Sequence, residues 1–267
     1  MVILDIREFL FSPISELSFK IEVTAGEPGI LAGEEKMREA VRDLGLQLEW
    51  VASDGRNLRK GDCVCRARGN ARQVALAEEQ LLGYIGKASG VATAAAEMVS
   101  LAKGKARVVC GAWKKVAPEV RPLLRRAIAI GGAGIRLIEE PFVYLDKNYI
   151  RMFGGVATAV RRARELAGRV VVVQLRGETN QPAEEAREAA REGARVLMVD
   201  TGKLTDLAAV KEIVWNEGLQ ETVRVAFGGG VTKNNLAEVI AAGAEIIDVG
   251  RAIIDAPLLD FRLDVKV

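Results

Sequence analysis

The stretch VRVAFGGGVTKNNLAEVIAAGAEIIDVG, from Val223 to Gly250, contains two short apolar segments separated by a stretch of helical periodicity. Val223–Ala226 and Ile246–Val249 are largely apolar on both faces, as are strands of a parallel sheet that is covered on both sides. Between them, Leu236 and Val239 belong to the apolar stripe of an amphipathic helix. The stretch therefore predicts one strand–helix–strand repeat.

The same repeat can be followed backwards to about Arg107. Its spacing of roughly 25 residues is typical of a (β/α) barrel, in which each strand is followed by a return helix. One such helix begins near Pro182 and ends before Gly193, because proline favours the first helical turn and glycine the position after the last. Earlier strands are predicted at Val108–Cys110, Val143–Leu145, Val170–Leu175 and Val196–Val199. The second part of the chain is thus predicted to be a parallel (β/α) barrel.

The first hundred residues show a different pattern, in which alternating strands are broken by glycine-containing turns. This pattern is typical of an antiparallel sheet. Two helices accompany it, at Glu34–Leu44 and at Ala71–Ala102, the second interrupted at Ser89-Gly90. We predict an N-terminal α/β domain over residues 1–103 and a barrel over residues 104–255.

Charge and composition exclude several classes of function. The 38 basic and 36 acidic side chains leave a net charge of +2. This charge provides no general electrostatic attraction to nucleic acid or to an anionic membrane. Hydrophobic residues make up 49% of the chain, enough to fill a core. The chain has no histidine, which excludes histidine-based catalytic triads and histidine-ligated zinc sites.

The cysteines and the first residues point to a reducing compartment. Cys63 and Cys65 are too close in sequence for an ordinary disulfide. Cys110 has no histidine to act as its base, so we expect it to be a buried apolar side chain rather than a nucleophile. Asp5 and Glu8 stand where a signal peptide would be basic, and no run is long enough to span a bilayer. We therefore expect a cytoplasmic protein.

Two glycine-rich segments follow the last two predicted strands. Gly228, Gly229 and Gly230 come after one strand and precede a helix, while Gly250 comes after the next and precedes Arg251. Glycines let backbone N–H groups approach an anion, and a helix N-terminus adds partial positive charge. Glycine also serves simply to make tight turns. Two such loops on the final repeats, where barrels often hold phosphate, favour a phosphate site.

Charged residues follow other strands at the edge where barrel chemistry takes place. Asp200 ends a strand, and its carboxylate either holds Mg²⁺ on a polyphosphate or caps the next helix. Lys114, Lys115 and Lys147 follow earlier strands and either supply positive charge to a phosphate or are ordinary solvated lysines.

Several segments together resemble the quinolinate phosphoribosyltransferase family, and the resemblance covers nearly the whole chain. The segments are GDCVCRARGNARQVALAEEQLLGYIGKASGVAT (61–93), Gly131-Gly132, MVD (198–200), FGGGV (227–231) and DVGRAIIDAPLLDFRLDV (248–265). The resemblance implies an N-terminal α/β sandwich, an open (β/α) barrel, a C-terminal strand over residues 256–267 that returns to the sandwich, and a homodimer or higher homo-oligomer. It also implies transfer of a phosphoribosyl group from PRPP (5-phosphoribosyl 1-pyrophosphate) to quinolinate with Mg²⁺, followed by decarboxylation to nicotinate mononucleotide.

The resemblance assigns roles to particular residues. Phosphate binding falls on Gly228, Gly229, Gly230, Gly250 and Arg251, the metal-side acid on Asp200, catalytic cations on Lys114, Arg136 and Lys147, and substrate binding on Glu79, Trp113, Asn148 and Gln174.

Some of these positions depart from the family pattern. Glu79 and Trp113 stand where the family has arginines, and Gln174 stands where it has an acid. Loss of two arginines should weaken binding of a dicarboxylate, so quinolinate is a doubtful substrate. Trp113 is suited to stacking on a neutral or cationic ring, and Glu79 to holding an amine or a ring N–H. Lys147 lies one position along the chain from the family's lysine, and it takes the place of that lysine if the loop is shifted.

Three functions agree with these features. The first is a phosphoribosyltransferase that acts on a pyridine carboxylate or a related heterocycle. The second is a non-catalytic paralogue that keeps the phosphate loops and binds a nucleotide-like ligand. The third is another phosphate-binding barrel enzyme, such as an aldolase or isomerase, which the sandwich-like first domain argues against.

Overall fold

The computed structural model describes residues 5–266. Residues 1–4 and 267, which form the outer ends of the predicted domains, lie outside the described residues. The strands are β1 Phe19–Ala25, β2 Gly29–Ile30, β3 Gln47–Val51, β4 Asn57–Leu58, β5 Cys63–Gly69, β6 Arg107–Val109, β7 Phe142–Leu145, β8 Val170–Leu175, β9 Val196–Val199, β10 Arg224–Gly228, β11 Ile246–Asp248 and β12 Phe261–Lys266. The helices are α1 Ile6–Phe11, α2 Glu34–Asp43, α3 Ala71–Ala102, α4 Arg121–Ile130, α5 Lys147–Met152, α6 Val156–Arg164, α7 Pro182–Arg191, α8 Leu204–Asn216, α9 Leu236–Ala241 and α10 Arg251–Ile254.

The described chain divides into two compact units. The first comprises the chain up to Ala96, Pro118–Gly132 and the chain from Asp255 onward, and the second comprises Glu97–Ala117 and Ala133–Ile254. The grouping assigns Pro118–Gly132 to the first unit, whereas the sequence-based boundaries placed it in the barrel.

The first unit is built on an antiparallel sheet in the order β12-β1-β5-β3. Ile21 and Val23 of β1 are fully buried and alternate with more exposed residues, so one face of the sheet supplies a core. Leu81 and Ile85 of α3 belong to the same core. β12 pairs antiparallel with β1, from Lys266 opposite Lys20 to Phe261 opposite Ala25.

The predicted interruption of α3 at Ser89-Gly90 is wrong, because α3 runs continuously from Ala71 to Ala102. The backbone of the C-terminal segment passes close to the helix here. A Cβ built on Gly90 would lie 1.9 Å from the carbonyl oxygen of Pro257. Gly90 therefore marks a close approach of two backbone segments, not a helix break.

The second unit contains, in the described residues, a six-stranded parallel sheet in the order β6-β11-β10-β9-β8-β7. Inward-facing side chains of neighbouring strands, including Val172, Met198 and Ala226, pack together in its interior. A parallel bridge joins Val109 to Gly134 on the outer side of β6. No pairing joins β6 to β7 anywhere in residues 5–266, so the barrel is open on this side.

The predicted α/β class is confirmed, and each of the six strands predicted for the barrel overlaps an observed strand. α7 begins at Pro182 as expected, and Gly193, just past its end, has φ +102°. In the described chain, no helix combines the length and apolarity needed to cross a membrane.

We predict that Gly90→Ala destabilises the protein by about 1–3 kcal/mol or more, because its Cβ would collide with the Pro257 backbone. Gly83→Ala in the same helix is the matched control, since a Cβ there meets no atom within 4 Å. The control should raise the free energy of unfolding by about 0.5–1 kcal/mol through helix propensity. Denaturant unfolding of both variants measures the difference, and equal effects would contradict the close approach.

Candidate active site

A cavity of about 640 Å³ lies in the second unit. Its wall combines apolar and aromatic side chains with cations and acids. The lining residues are Val109, Gly111, Trp113, Lys114, Ile135, Arg136, Leu137, Glu139, Pro141, Phe142, Tyr144, Arg169, Met198 and Asp248. Three predicted site residues, Trp113, Lys114 and Arg136, therefore meet around one space.

Trp113 and Lys114 lie in a short 3₁₀ turn, Ala112–Lys115, directly after β6. The Trp113 indole N–H donates a hydrogen bond to the Ile135 carbonyl oxygen at 3.1 Å, which fixes the orientation of the ring. The Lys114 ammonium lies 5.5 Å from the centroid of the Tyr144 ring, within the range of a cation–π contact. The turn thus presents an immobilised aromatic ring and a cation to the cavity.

Asp248, the last residue of β11, lines the cavity and was missed by the sequence analysis. One carboxylate oxygen accepts a hydrogen bond from the Gly111 backbone N–H at 2.8 Å. Burial raises the pKa of Asp248, and the nearby Asp200 carboxylate acts in the same direction. The sequence did contain a signal for this residue. Like Asp200, Asp248 is an acid at the end of a barrel strand, next to a glycine loop.

Asp200 follows β9 and is held by neighbouring side chains. The Gln174 amide N–H₂ donates to one Asp200 carboxylate oxygen at 2.6 Å, and Arg176 donates to the same oxygen at 3.4 Å. The alternative in which Asp200 caps the next helix is wrong, because Lys203 is the N-cap of α8. Asp200 is therefore available to a ligand.

Gln174 links two strand ends. Its amide oxygen accepts from the Lys147 backbone N–H at 2.9 Å while its nitrogen donates to Asp200. The two partners settle the orientation of the amide, since a carboxylate only accepts and a backbone N–H only donates. An ionised acid at this position could not make both bonds.

Lys147 and Asn148 begin α5, which Asp146 caps by accepting from the Asn148 and Tyr149 N–H groups at 2.8 and 3.2 Å. Neither residue is among the described residues that line the cavity. Glu79 lies on α3 in the first unit, where it is exposed and paired with Arg7. Cys110 is buried, and burial raises the pKa of its thiol to about 12, so the thiol stays protonated.

The triple-glycine segment ends β10 beside both acids. A Cβ built on Gly228 would lie 3.4 Å from the Asp248 Cβ and 3.6 Å from an Asp200 carboxylate oxygen. Gly229 has φ +97°, and a Cβ there would lie 2.7 Å from the Gly202 nitrogen. Gly230 has φ +72° and faces open space. Only glycine permits this backbone path between the two acids.

The helix predicted after this segment is α9, which begins at Leu236 after the intervening residues 231–235. Asn235 holds the loop by donating to the Gly230 carbonyl oxygen at 3.1 Å. Gly250 does precede a helix, α10, whose first residue is the exposed Arg251. In the described chain, the N–H groups of Gly229, Gly230 and Gly250 donate no hydrogen bond to protein. These N–H groups suit an anion.

A second, polar cavity of about 650 Å³ adjoins Asp200 and is bordered by the loop between β8 and α7. The fully buried Glu185 organises this loop. Its carboxylate accepts from the backbone N–H groups of Arg176, Gly177 and Thr179 at 3.2, 3.0 and 2.8 Å, and from the Thr179 hydroxyl at 3.3 Å.

An open parallel sheet with glycine loops and two acids at the carboxyl ends of its strands defines a protein of the (β/α) barrel class. Residues 9–89 match the model of the quinolinate phosphoribosyl transferase N-terminal domain, and residues 91–264 match that of the C-terminal domain. The chain belongs to the quinolinate phosphoribosyltransferase family, which confirms the resemblance.

Individual relatives agree with this membership. The nicotinate-nucleotide pyrophosphorylase (carboxylating) of Homo sapiens is 30% identical over 242 residues, which are 90% of this chain and 80% of the human protein. A probable enzyme of the same name from Archaeoglobus fulgidus is 30% identical, over 91% of this chain and 92% of that protein. The structure of the nicotinate-nucleotide pyrophosphorylase from Francisella tularensis has the same fold, with a TM-score of 0.81 at 23% identity over 97% of this chain and 90% of that chain.

We predict that Glu185→Ala destabilises the protein by about 1–3 kcal/mol, because it removes the buried acceptor of three backbone N–H groups of the loop. Glu184→Ala, the neighbouring exposed acid that pairs with Arg187, is the control and should cost no more than about 0.5 kcal/mol. Denaturant unfolding compares the two variants. A Glu185→Ala protein as stable as its control would show that the loop does not depend on this carboxylate.

Proposed function

We propose that this chain is a phosphoribosyltransferase. It transfers the phosphoribosyl group of PRPP to the ring nitrogen of a heterocycle and releases pyrophosphate. The observation that carries the proposal is the meeting of Gly228, Asp200 and Asp248 at one edge of the sheet. Family membership and the shared name of the relatives, nicotinate-nucleotide pyrophosphorylase (carboxylating), support the activity.

The chain supplies positions and charges rather than a nucleophile. The N–H groups of Gly229, Gly230 and Gly250 hold the 5-phosphate. Lys114 and Arg136 stabilise the negative charge that develops as pyrophosphate leaves. Because the bond to pyrophosphate breaks as the ring nitrogen bonds to the ribose C1 atom, alignment of the two substrates accounts for the rate enhancement. This mechanism explains how a chain without histidine can be an enzyme.

The acids fit a magnesium requirement. Mg²⁺ in phosphoryl sites is bound by one or two carboxylates together with substrate phosphates and water. Asp200 is such a carboxylate, and the Gln174 and Arg176 donors orient it. Mg²⁺ would neutralise the pyrophosphate that departs.

The acceptor differs from quinolinate in this proposal. Trp113 stands where the family has an arginine, and its indole N–H is already bonded to the Ile135 carbonyl oxygen. The cavity therefore offers an aromatic surface in place of one carboxylate-binding cation. A pyridine carboxylate with one acidic group, or a related heterocycle, suits this wall better than a dicarboxylate.

The second candidate is a non-catalytic paralogue that binds a nucleotide-like ligand. Gln174 favours it, because a neutral amide occupies the position of the family acid and uses one oxygen of Asp200. Such a protein would bind a phosphorylated ligand without turnover.

We predict that PRPP binds in the presence of Mg²⁺ and at least about tenfold more weakly after chelation of the metal. Asp200→Asn should remove most of this magnesium dependence, because it keeps the shape of the side chain but removes its charge. Glu238→Gln, which changes an exposed acid of α9, is the control and should behave as the unaltered protein does. Titration calorimetry measures binding, and pyrophosphate release with candidate acceptors separates an enzyme from a binding paralogue. Absence of PRPP binding would contradict the proposal.

We further propose that the protein is cytoplasmic and that it forms a homodimer or higher homo-oligomer, of which the family resemblance implies the assembly. Size-exclusion chromatography with light scattering should give at least twice the mass of the chain at micromolar concentration. A monomer that binds PRPP would contradict the assembly and leave the activity standing.

A further inference from the structure

Asp248 has a carboxylate oxygen that the protein does not use. Asp248 lines the cavity, and one of its oxygens accepts the Gly111 N–H. The other oxygen receives no hydrogen bond and forms no ion pair with any residue in the range 5–266. The Lys114 cation is close enough to favour the charged form of Asp248 but forms no salt bridge with it in the described chain. Asp248 thus adds a half-buried carboxylate acceptor to the cavity wall that also contains Trp113.

The wall around this acceptor suits a flat ring. Trp113 and Tyr144 supply aromatic surfaces, and Phe142, Leu137 and Met198 complete the apolar side. The Trp113 ring is immobilised by its hydrogen bond to Ile135, so stacking against it costs little conformational entropy. The cavity volume of about 640 Å³ lies in the range of small-molecule sites.

A carboxylate in such a wall discriminates between classes of heterocycle. It accepts a hydrogen bond from a ring N–H and repels a carboxylate substituent placed against it. A pyridine ring nitrogen carries no hydrogen before transfer, so a pyridine dicarboxylate cannot use this acceptor. An azole carries one N–H and one nitrogen with a free electron pair, and it can satisfy Asp248 while the second nitrogen faces PRPP.

We infer that Asp248 is a specificity-determining residue that selects an acceptor with a ring N–H, of the azole or benzazole class, over a pyridine dicarboxylate. The inference rests on the proposed phosphoribosyl transfer and specifies its acceptor.

The transfer step balances for such a ring. The azole nitrogen with the free electron pair bonds to the ribose C1 atom, and the bond from C1 to the pyrophosphate oxygen breaks with its electrons going to pyrophosphate. The ring becomes a cation, which the Asp248 carboxylate stabilises through the N–H hydrogen bond. Loss of that N–H proton to water then yields the neutral N-ribosylated azole.

The test compares acceptors in the presence of PRPP and Mg²⁺. Imidazole and benzimidazole are set against quinolinate and nicotinate, with binding measured by calorimetry and products by mass spectrometry and pyrophosphate release. We expect ribosylation of an azole and little or none of quinolinate.

The matched variant is Asp248→Asn, whose amide oxygen can still accept the Gly111 N–H while its N–H₂ group replaces the free acceptor. We expect azole binding to weaken by about 10- to 100-fold and PRPP binding to change less than about twofold. Glu140→Gln, which removes an acid paired with Arg224 outside the cavity wall, should leave both affinities unchanged.

The outcomes are distinct. PRPP binding with use of quinolinate, or with no azole binding, would overturn the role of Asp248 and leave the proposed transferase intact. An Asp248→Asn protein that binds the azole as tightly as the unaltered protein would also overturn it. If PRPP does not bind, the proposed function fails and the inference fails with it. The acceptor comparison uses the unaltered protein, so it decides the question even if Asp248→Asn does not fold.

Discussion

The hydrogen-bonded register of β10 with its two neighbours is the constraint on which the candidate site depends. Phe227 pairs with Val199 on one side, and Gly228 pairs with Asp248 on the other. This register brings Asp200, the residue after Val199, level with Gly228. A shift of one residue would turn each of these side chains to the opposite face of the sheet. The parallel ladder therefore sets the relative positions of both acids and the glycine loop.

Glycine at positions 228 and 229 allows the close backbone packing that this strand register requires. At Gly228, a Cβ would lie 2.6 Å from the Met198 methyl carbon, so a larger residue would force the core side chain to move. At Gly229, the chain turns through positive φ against the Gly202 backbone. The same residues that allow close packing also leave the Gly229 and Gly230 N–H groups without a protein acceptor in the described chain. Packing and the proposed phosphate binding thus depend on the absence of the same side chains.

The site contains acidic and aromatic side chains in addition to the glycine loops, so its chemistry is not that of an anion site alone. Asp200 is oriented by the neutral amide of Gln174, while Asp248 keeps one oxygen free beside Trp113. In the proposed function, phosphate affinity comes from the glycine loops and cations, and discrimination between acceptors comes from the cavity wall. This separation explains how a chain can keep the donor half of a family site while its acceptor half changes.

Sequence by itself determined the order of strands and helices, because hydrophobic periodicity and the proline and glycine signals are local properties. It also indicated the glycine loops and Asp200, since residues at strand ends share one edge of a parallel barrel. Tertiary structure alone decided what those residues touch. Gly90 lies inside the continuous α3 helix where the distant Pro257 backbone approaches it, and Gln174 joins Lys147 to Asp200 across three strand ends. Asp248 carries the same local signal as Asp200, an acid at a strand end, but its bond to Gly111 and its place in the cavity wall were decided only when β11 was placed between β6 and β10, because such contacts join residues far apart in the chain.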